Sequence, residues 1–206
     1  MAKKAIILDL DNTIYSVASI GEKLFASLFQ QIDASGLPAH QITEIKDAVM
    51  REPFQVVVRR YQFDHSFLQT TTQLLQGLTY NEPIDVFPDY HEIKQLPADR
   101  FLVTTGFKNL QTSKIKNMGI EQDFKEIHIV DPNTGERTKK TVFADILQRY
   151  NLTPSDALVV GDDPESEIKA GTELGIDTVL YDKFNRYPTY NATNKISDFK
   201  ELNRFI

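Results

Sequence analysis

The sequence predicts an α/β fold, a doubly wound parallel sheet interrupted after its first strand by an all-helical insertion. Three observations carry that prediction. Five short aliphatic segments each end in a polar or glycine break, as buried strands do. Helical patterns lie between the later segments. The long stretch after the first segment holds helical spacings and no good strand.

In chain order, strands are expected at Ala5–Leu10, Phe101–Thr104, Glu126–Val130, Ala157–Val160 and Thr178–Tyr181. Such near-continuous apolar runs suit parallel strands covered on both faces. Helices are expected at Asn109–Met118, Thr141–Tyr150 and Pro164–Leu174, with Gly119 and Gly175 where C-terminal caps belong. This alternation implies right-handed crossovers. Between about Val17 and Tyr80 the pattern changes. Phe25, Leu28, Phe29 and Ile32 follow i, i+3, i+4, i+7 spacing, and Phe67, Thr71, Leu74 and Leu75 follow it less cleanly. Ile42, Ile45 and Val49 mark another helix after Pro38. Phe54–Tyr61 fits helix or strand by periodicity, and its helical surroundings favour helix. Asn81–Pro88, with two prolines, reads as the return linker. Ile196, Phe199 and Leu202 form a last helical stripe, expected to pack on the sheet.

Composition bounds the partners. The 206 residues carry 29 acids against 23 bases, a formal charge of −6, and no cysteine. The lack of cysteine excludes a disulfide scaffold, thiolate zinc sites and cysteine nucleophiles. A field of that sign repels polyanions, so neither nucleic acid nor an anionic membrane is an expected partner. The first apolar run meets Asp9 and is too short for a signal-peptide core. No segment approaches the roughly 20 apolar residues of a membrane span. The chain is therefore expected to be soluble and cytoplasmic.

The polar residues that follow the strands carry the chemistry. The first strand runs into Asp9-Leu10-Asp11-Asn12-Thr13. Acids spaced i, i+2 on extended chain share a side, about 6–7 Å apart. Such a pair either caps a strand in a polar turn or binds a hard divalent cation through oxygen. Phe101–Val103 leads into Thr104-Thr105-Gly106, offering hydroxyls and amides at a helix entrance. Leu158–Val160 leads into Gly161-Asp162-Asp163, and Lys139 and Lys140 open the helix before that strand. Ligands of open α/β sheets bind outside the carboxyl ends of the strands. Gathered there, these groups favour a phosphate-plus-metal site.

Ile6-Ile7-Leu8-Asp9-Leu10-Asp11-Asn12-Thr13-Ile14-Tyr15 resembles the first motif of the haloacid dehalogenase-like (HAD) hydrolase superfamily. Phe101-Leu102-Val103-Thr104-Thr105-Gly106 resembles the second. Ser113-Lys114-Ile115 through Gly119-Ile120 to Phe124 has the family's helix and strand entry. Val159-Val160-Gly161-Asp162-Asp163-Pro164-Glu165-Ser166-Glu167-Ile168-Lys169-Ala170-Gly171 resembles the fourth. The resemblance implies a Rossmann-like α/β catalytic core, residues 1–13 and 86–206, with a helical cap, residues 14–85, inserted between the first and second motifs.

The same resemblance implies roles. Asp9 would be the nucleophile that forms an aspartyl-phosphate. Asp11 would protonate the leaving oxygen and later activate water, with its pKa tuned towards neutrality. Asp9, the backbone carbonyl of Asp11 and Asp162 would hold Mg2+. Thr104 would hydrogen-bond a phosphate oxygen, and Lys139 would offset charge. Lys139 is preferred to Lys140 because it stands four residues before Phe143, the familiar spacing. The chain departs from the family pattern at Glu167, where a second Asp is common, and at Asp163, where Ser is frequent. Thr105 and Gly106 are candidate substrate contacts. So are Arg51, Arg59, Arg60, Tyr61 and His65 of the insertion, where the consecutive arginines have the alternative of a solvated helix face beside a packing tyrosine.

An acid at position 11 favours phosphate monoester hydrolysis over halide removal. The expectation is a magnesium-dependent phosphatase acting on a small phosphorylated metabolite of nucleotide or sugar phosphate type. The alternatives are a phosphomutase of the same superfamily and a catalytically idle, metal-binding interaction module.

Overall fold

The computed structural model of the protein describes residues 2–131, 135, 137–191 and 194–206. Six parallel strands form one sheet in the order β3-β2-β1-β4-β5-β6. They are β1 (Ala5–Leu8), β2 (Asp99–Thr105), β3 (Glu126–Val130), β4 (Ala157–Gly161), β5 (Asp177–Tyr181) and β6 (Lys195–Ile196). Strand β1 lies at the centre, with Ala5 opposite Asp99 of β2 and Ala157 of β4, and Leu8 opposite Leu102 and Val160. Strand order reverses at β1 and β4, so the crevice for a ligand opens where Asp9 and Asp162 leave the sheet.

Alternation along the strands builds two apolar layers. Ala5, Ile7, Phe101, Val103 and Val159 face Val142, Phe143 and Ile146 of α8 (Lys139–Arg149). Ile6, Leu8, Leu102, Leu158 and Val160 face the other way. Their layer continues without a break into Val17, Ile20, Phe25, Leu28, Val57 and Leu75, so the inserted helices share it. Those helices are α1 (Ala18–Leu24), α2 (Ala26–Asp33), α3 (Ala39–Val49), α4 (Phe54–Tyr61) and α5 (His65–Gly77). Helix α4 buries Phe54, Val57 and Val58 and ends at Gln62, in the left-handed region. Asp64 caps α5 by accepting from the Phe67 amide at 2.7 Å. No helix among the described residues is long and apolar enough to cross a membrane.

The remaining helices are α6 (Tyr90–Gln95), α7 (Lys108–Met118) and α9 (Lys169–Glu173). Gly119 and Gly175 end α7 and α9 at φ of 67° and 71°, as their places in the sequence predict. Three differences from the sequence reading have local causes. Strand β6 has two residues, too few to show a period. The C-terminal stripe is a 3-10 turn, Phe199–Arg204, rather than an α-helix. The expected helix from Pro164 opens with a π turn, Pro164–Ile168, before α9 begins. Within that wide turn Glu167 is buried and its carboxylate accepts from the Asp163 amide at 2.7 Å.

Helix α9 lies close on the sheet because of one glycine. A Cβ on Gly171 would stand 2.7 Å from Thr178 Cγ2 and 3.1 Å from Val159 Cγ2. Alanine is the better helix former, yet here the overpacking outweighs propensity. Gly171→Ala is expected to destabilise the fold by about 1–3 kcal/mol, read as a lower urea midpoint. An unchanged midpoint would show that the contact is slack.

Candidate active site

The first strand delivers Asp9 to the sheet edge, its amide donating to the Val160 carbonyl at 3.1 Å. Asp9 is buried, and Lys139 Nζ donates to its Oδ1 at 2.6 Å. The same ammonium donates to Glu167 Oε2 at 2.7 Å. Lys139 opens α8, where Thr138 and Thr141 cap the helix reciprocally and set its first turn against the sheet edge. Lys140 points outward to Glu173 at 2.8 Å, so the lysine at Asp9 is Lys139. Beyond β4, Asp162 accepts weakly from Thr13 Oγ1 and Arg186 Nη1, each at 3.4 Å.

One carboxylate oxygen from each of Asp9, Asp162 and Glu167 lies within 4.8 Å of the others. The Lys139 ammonium thus bridges two of the three acids, and Asp162 has only the longer ion pair with Arg186 among the described residues. Burial, with Glu167 and Asp11 adding to it, lifts the Asp9 pKa to about 7 although Lys139 pulls it down. Burial, with Glu167 and Asp9 adding to it, lifts Asp162 well above the usual carboxylate range, although Lys139 and Arg186 pull it down. Burial disfavours the Lys139 ammonium, but Asp9 and Glu167 outweigh that and its pKa rises. Asp163 takes a separate part: it caps the π turn by accepting from the Glu165 amide at 2.8 Å.

Asp11 sits in a second arrangement. Its Oδ1 accepts from Lys114 Nζ at 2.8 Å and from the Tyr15 hydroxyl, and its Oδ2 accepts from Gln111 Nε2 at 2.8 Å. Gln111 also donates to Thr104 Oγ1 at 2.6 Å, which joins the strand ends of β1 and β2. Burial raises the Asp11 pKa, yet Lys114, Tyr15 and Gln111 together bring it below the ordinary value. The sequence reading expected a shift towards neutrality, and the buried Lys114 reverses it. Neither Gln111 nor Lys114 stood out in the sequence. The signal was there in the periodicity: Leu110, Gln111, Lys114 and Ile115 make up one buried face of α7, two of them polar.

These groups line a cavity of about 120 Å³. Asp9, Asp11, Thr104, Thr105, Gly106, Lys139 and Asp162 form its sheet side, and Phe25, Val49, Arg51, Glu52, Phe54 and Gln55 come from the insertion. Arg59 and Arg60, the expected substrate contacts, are not brought there. Helix α4 turns Phe54, Val57 and Val58 inward, which sends both arginines to solvent, and Arg60 pairs with Glu52. Arg51, also a candidate of the insertion and placed at the corner before α4, does line the cavity.

Comparison with known proteins gives concordant results. Residues 6–181 match the model of the haloacid dehalogenase-like hydrolases. A glyceraldehyde 3-phosphate phosphatase of Methanopyrus kandleri is 22% identical over 198 residues, 85% of this chain and 82% of that protein. A ribulose-1,5-bisphosphate 5-phosphatase of Halopiger xanaduensis is 28% identical over 108 residues, 50% of this chain and 45% of that protein. Among solved structures, the magnesium-bound HAD-hydrolase YfnB of Bacillus subtilis shares the fold with a TM-score of 0.67. It is 18% identical, covering 99% of this chain and 98% of that one. A HAD phosphatase of Thermococcus onnurineus gives 0.64 at 17% identity, covering 98% and 96%.

The crowded acids have a consequence for stability without metal. Between about pH 4 and pH 7 the folded state keeps a proton on Asp9 that the unfolded chain has released, so this group makes stability fall as pH rises. Asp162 acts in the same direction. Urea unfolding in EDTA is expected to show that fall. Asp9→Asn should reduce it and raise the midpoint above wild type just beyond the upper end of that range. A wild-type midpoint that climbs through the window would contradict the assignment.

Proposed function

The chain belongs to the haloacid dehalogenase-like hydrolase family, and from that premise we propose that it is a magnesium-dependent phosphatase of small sugar phosphate-type monoesters. The observation that carries this reading is the buried Asp9 carboxylate, held by Lys139 at the mouth of β1 among acids that one ammonium does not neutralise. The names of the two phosphatase relatives support the substrate class.

The donor set suits magnesium. It consists of hard carboxylate oxygens, converging and buried, in a chain without thiolates. Asp9 and Asp162 would hold the ion, with the Asp11 backbone carbonyl as the third protein ligand that the family resemblance implies. Both oxygens of Glu167 are engaged, by Lys139 and by the Asp163 amide, so it positions those groups. When bound, magnesium offsets the negative charge of ester and nucleophile.

In the proposed reaction the Asp9 oxygen not bonded to Lys139 attacks phosphorus, and the bond from phosphorus to the leaving oxygen breaks. Asp11, having taken up a proton from solvent as the ester binds, gives that oxygen its proton. Lys114 holds Asp11 ionised in the free protein, and a dianionic ester arriving beside it raises its proton affinity. Thr104 accepts from Gln111, which leaves its own hydroxyl proton to donate to a phosphate oxygen. Water, deprotonated by Asp11, then cleaves the aspartyl-phosphate and restores Asp9. Residues 14–85 act as the cap that walls off this chemistry, and residues 1–13 and 86–206 as the catalytic core.

Phosphate release from a panel of sugar phosphates tests the reading. Release is expected with magnesium, none in EDTA, and a loss of roughly a thousandfold or more in Asp9→Asn. Full activity in Asp9→Asn would overturn the nucleophile assignment.

A further inference from the structure

The cavity wall contributed by the insertion includes Gln55, whose side-chain amide the chemistry above does not use. Gln55 Nε2 is a buried side-chain donor with no hydrogen-bond partner among the described residues. Gln55 is the second residue of α4 and lines the cavity that contains Asp9 and Asp11. The same wall carries the apolar side chains Phe25, Val49, Phe54 and Leu75, which give an amide nothing to bond. A buried donor left unpaired costs stability, and such atoms are rare in folded proteins.

The segment that leads to Gln55 is also tied to the site. Asn12 follows Asp11 with φ of 57°, and its Nδ2 donates to the Met50 carbonyl at 3.3 Å. That bond ties the Met50–Gln55 corner to the same turn that carries Asp9 and Asp11. A donor tied in this way to the reacting carboxylates selects among leaving groups by where they carry an acceptor.

We propose that Gln55 is a specificity-determining residue of the phosphatase reaction, donating Nε2–H to a hydroxyl or carbonyl oxygen on the leaving group of a short phosphate ester. The proposal rests on the phosphatase reading of the site. A neutral donor beside apolar side chains matches a neutral oxygen. Of the two charged groups on that wall, Glu52 pairs with Arg60 and would repel a second anion, while Arg51 would attract one. Esters bearing a carboxylate therefore form the contrasting arm of the test.

Binding to the full-length chain is measured by calorimetry with magnesium, in an Asp9→Asn background so that no ester is consumed. The ligands are glycerol phosphate, propyl phosphate and phosphoglycolate. Glycerol phosphate is expected to bind roughly tenfold or more tightly than propyl phosphate. Adding Gln55→Leu should remove that difference and leave propyl phosphate affinity within about twofold. Because Leu deletes an unpaired donor, the urea midpoint should hold or rise, whereas a Gln that merely braces the fold would lower it. Gln55→Met, of similar length and without a donor, should also abolish the preference, which keeps the test open if the Leu variant does not fold. Equal binding of the two neutral esters, binding of neither, a preference that survives both substitutions, or tighter binding of phosphoglycolate would overturn the proposal. Phosphate release by the wild type reads the parent activity separately. Release without the binding preference sinks the role of Gln55 alone, and the preference without release sinks only the hydrolysis.

Discussion

Charge crowding at the carboxyl end of the sheet is the constraint on which the rest of the structure depends. Parallel strands β1 and β4 bring Asp9 and Asp162 to one edge, and the π turn after β4 adds Glu167. Carboxylates this close and this buried cannot all stay ionised without cations. Lys139 bridges two of them and is itself almost fully buried. Its neighbours are shaped around that bridge. A Cβ on Gly161 would stand 2.2 Å from Glu167 Oε1, so the strand end must be glycine for the carboxylate to reach inward.

Two carboxylates separated by one residue are driven in opposite directions. Asp9 is raised to about 7 by burial among acids, and Asp11, although buried as well, is lowered by Lys114, Tyr15 and Gln111. Environments that split a pair of like groups mark a division of chemical labour. The lysine demand of Asp11 is met within the protein. That of Asp9 is shared with Glu167 and Asp162, which is where a divalent ion has most to contribute under the proposed mechanism.

The insertion belongs to this arrangement energetically as well as spatially. Its helices continue the apolar layer on one face of the sheet, and Asn12 bonds the Met50 carbonyl across the junction. The cavity wall opposite Asp9 is thus built from a segment packed into the same core. Arg59 and Arg60 show how that packing chooses residues: the inward face of α4 is taken by Phe54, Val57 and Val58, so the charges on the other face never reach the cavity.

Residue type and local spacing already carried the parallel sheet, the helical insertion, the caps at Gly119 and Gly175, and the carboxylates at 9, 11 and 162. They are legible because each depends on neighbours a few positions away: an apolar run, a left-handed turn, an acid at a strand end. The cations could not be assigned in that way. Lys139 is 130 positions from Asp9, and Lys114 is 103 from Asp11. Spacing before Phe143 favoured Lys139, whereas Lys114 and Gln111 are marked only as polar members of the buried face of α7, and a run of charge misdirected attention to Arg59 and Arg60. Which cation meets which acid, and that Gln55 Nε2 is buried without a partner among the described residues, depend on how helices far apart in the chain are packed over one sheet edge. That packing is a property of the whole apolar core and exists only once the chain has folded.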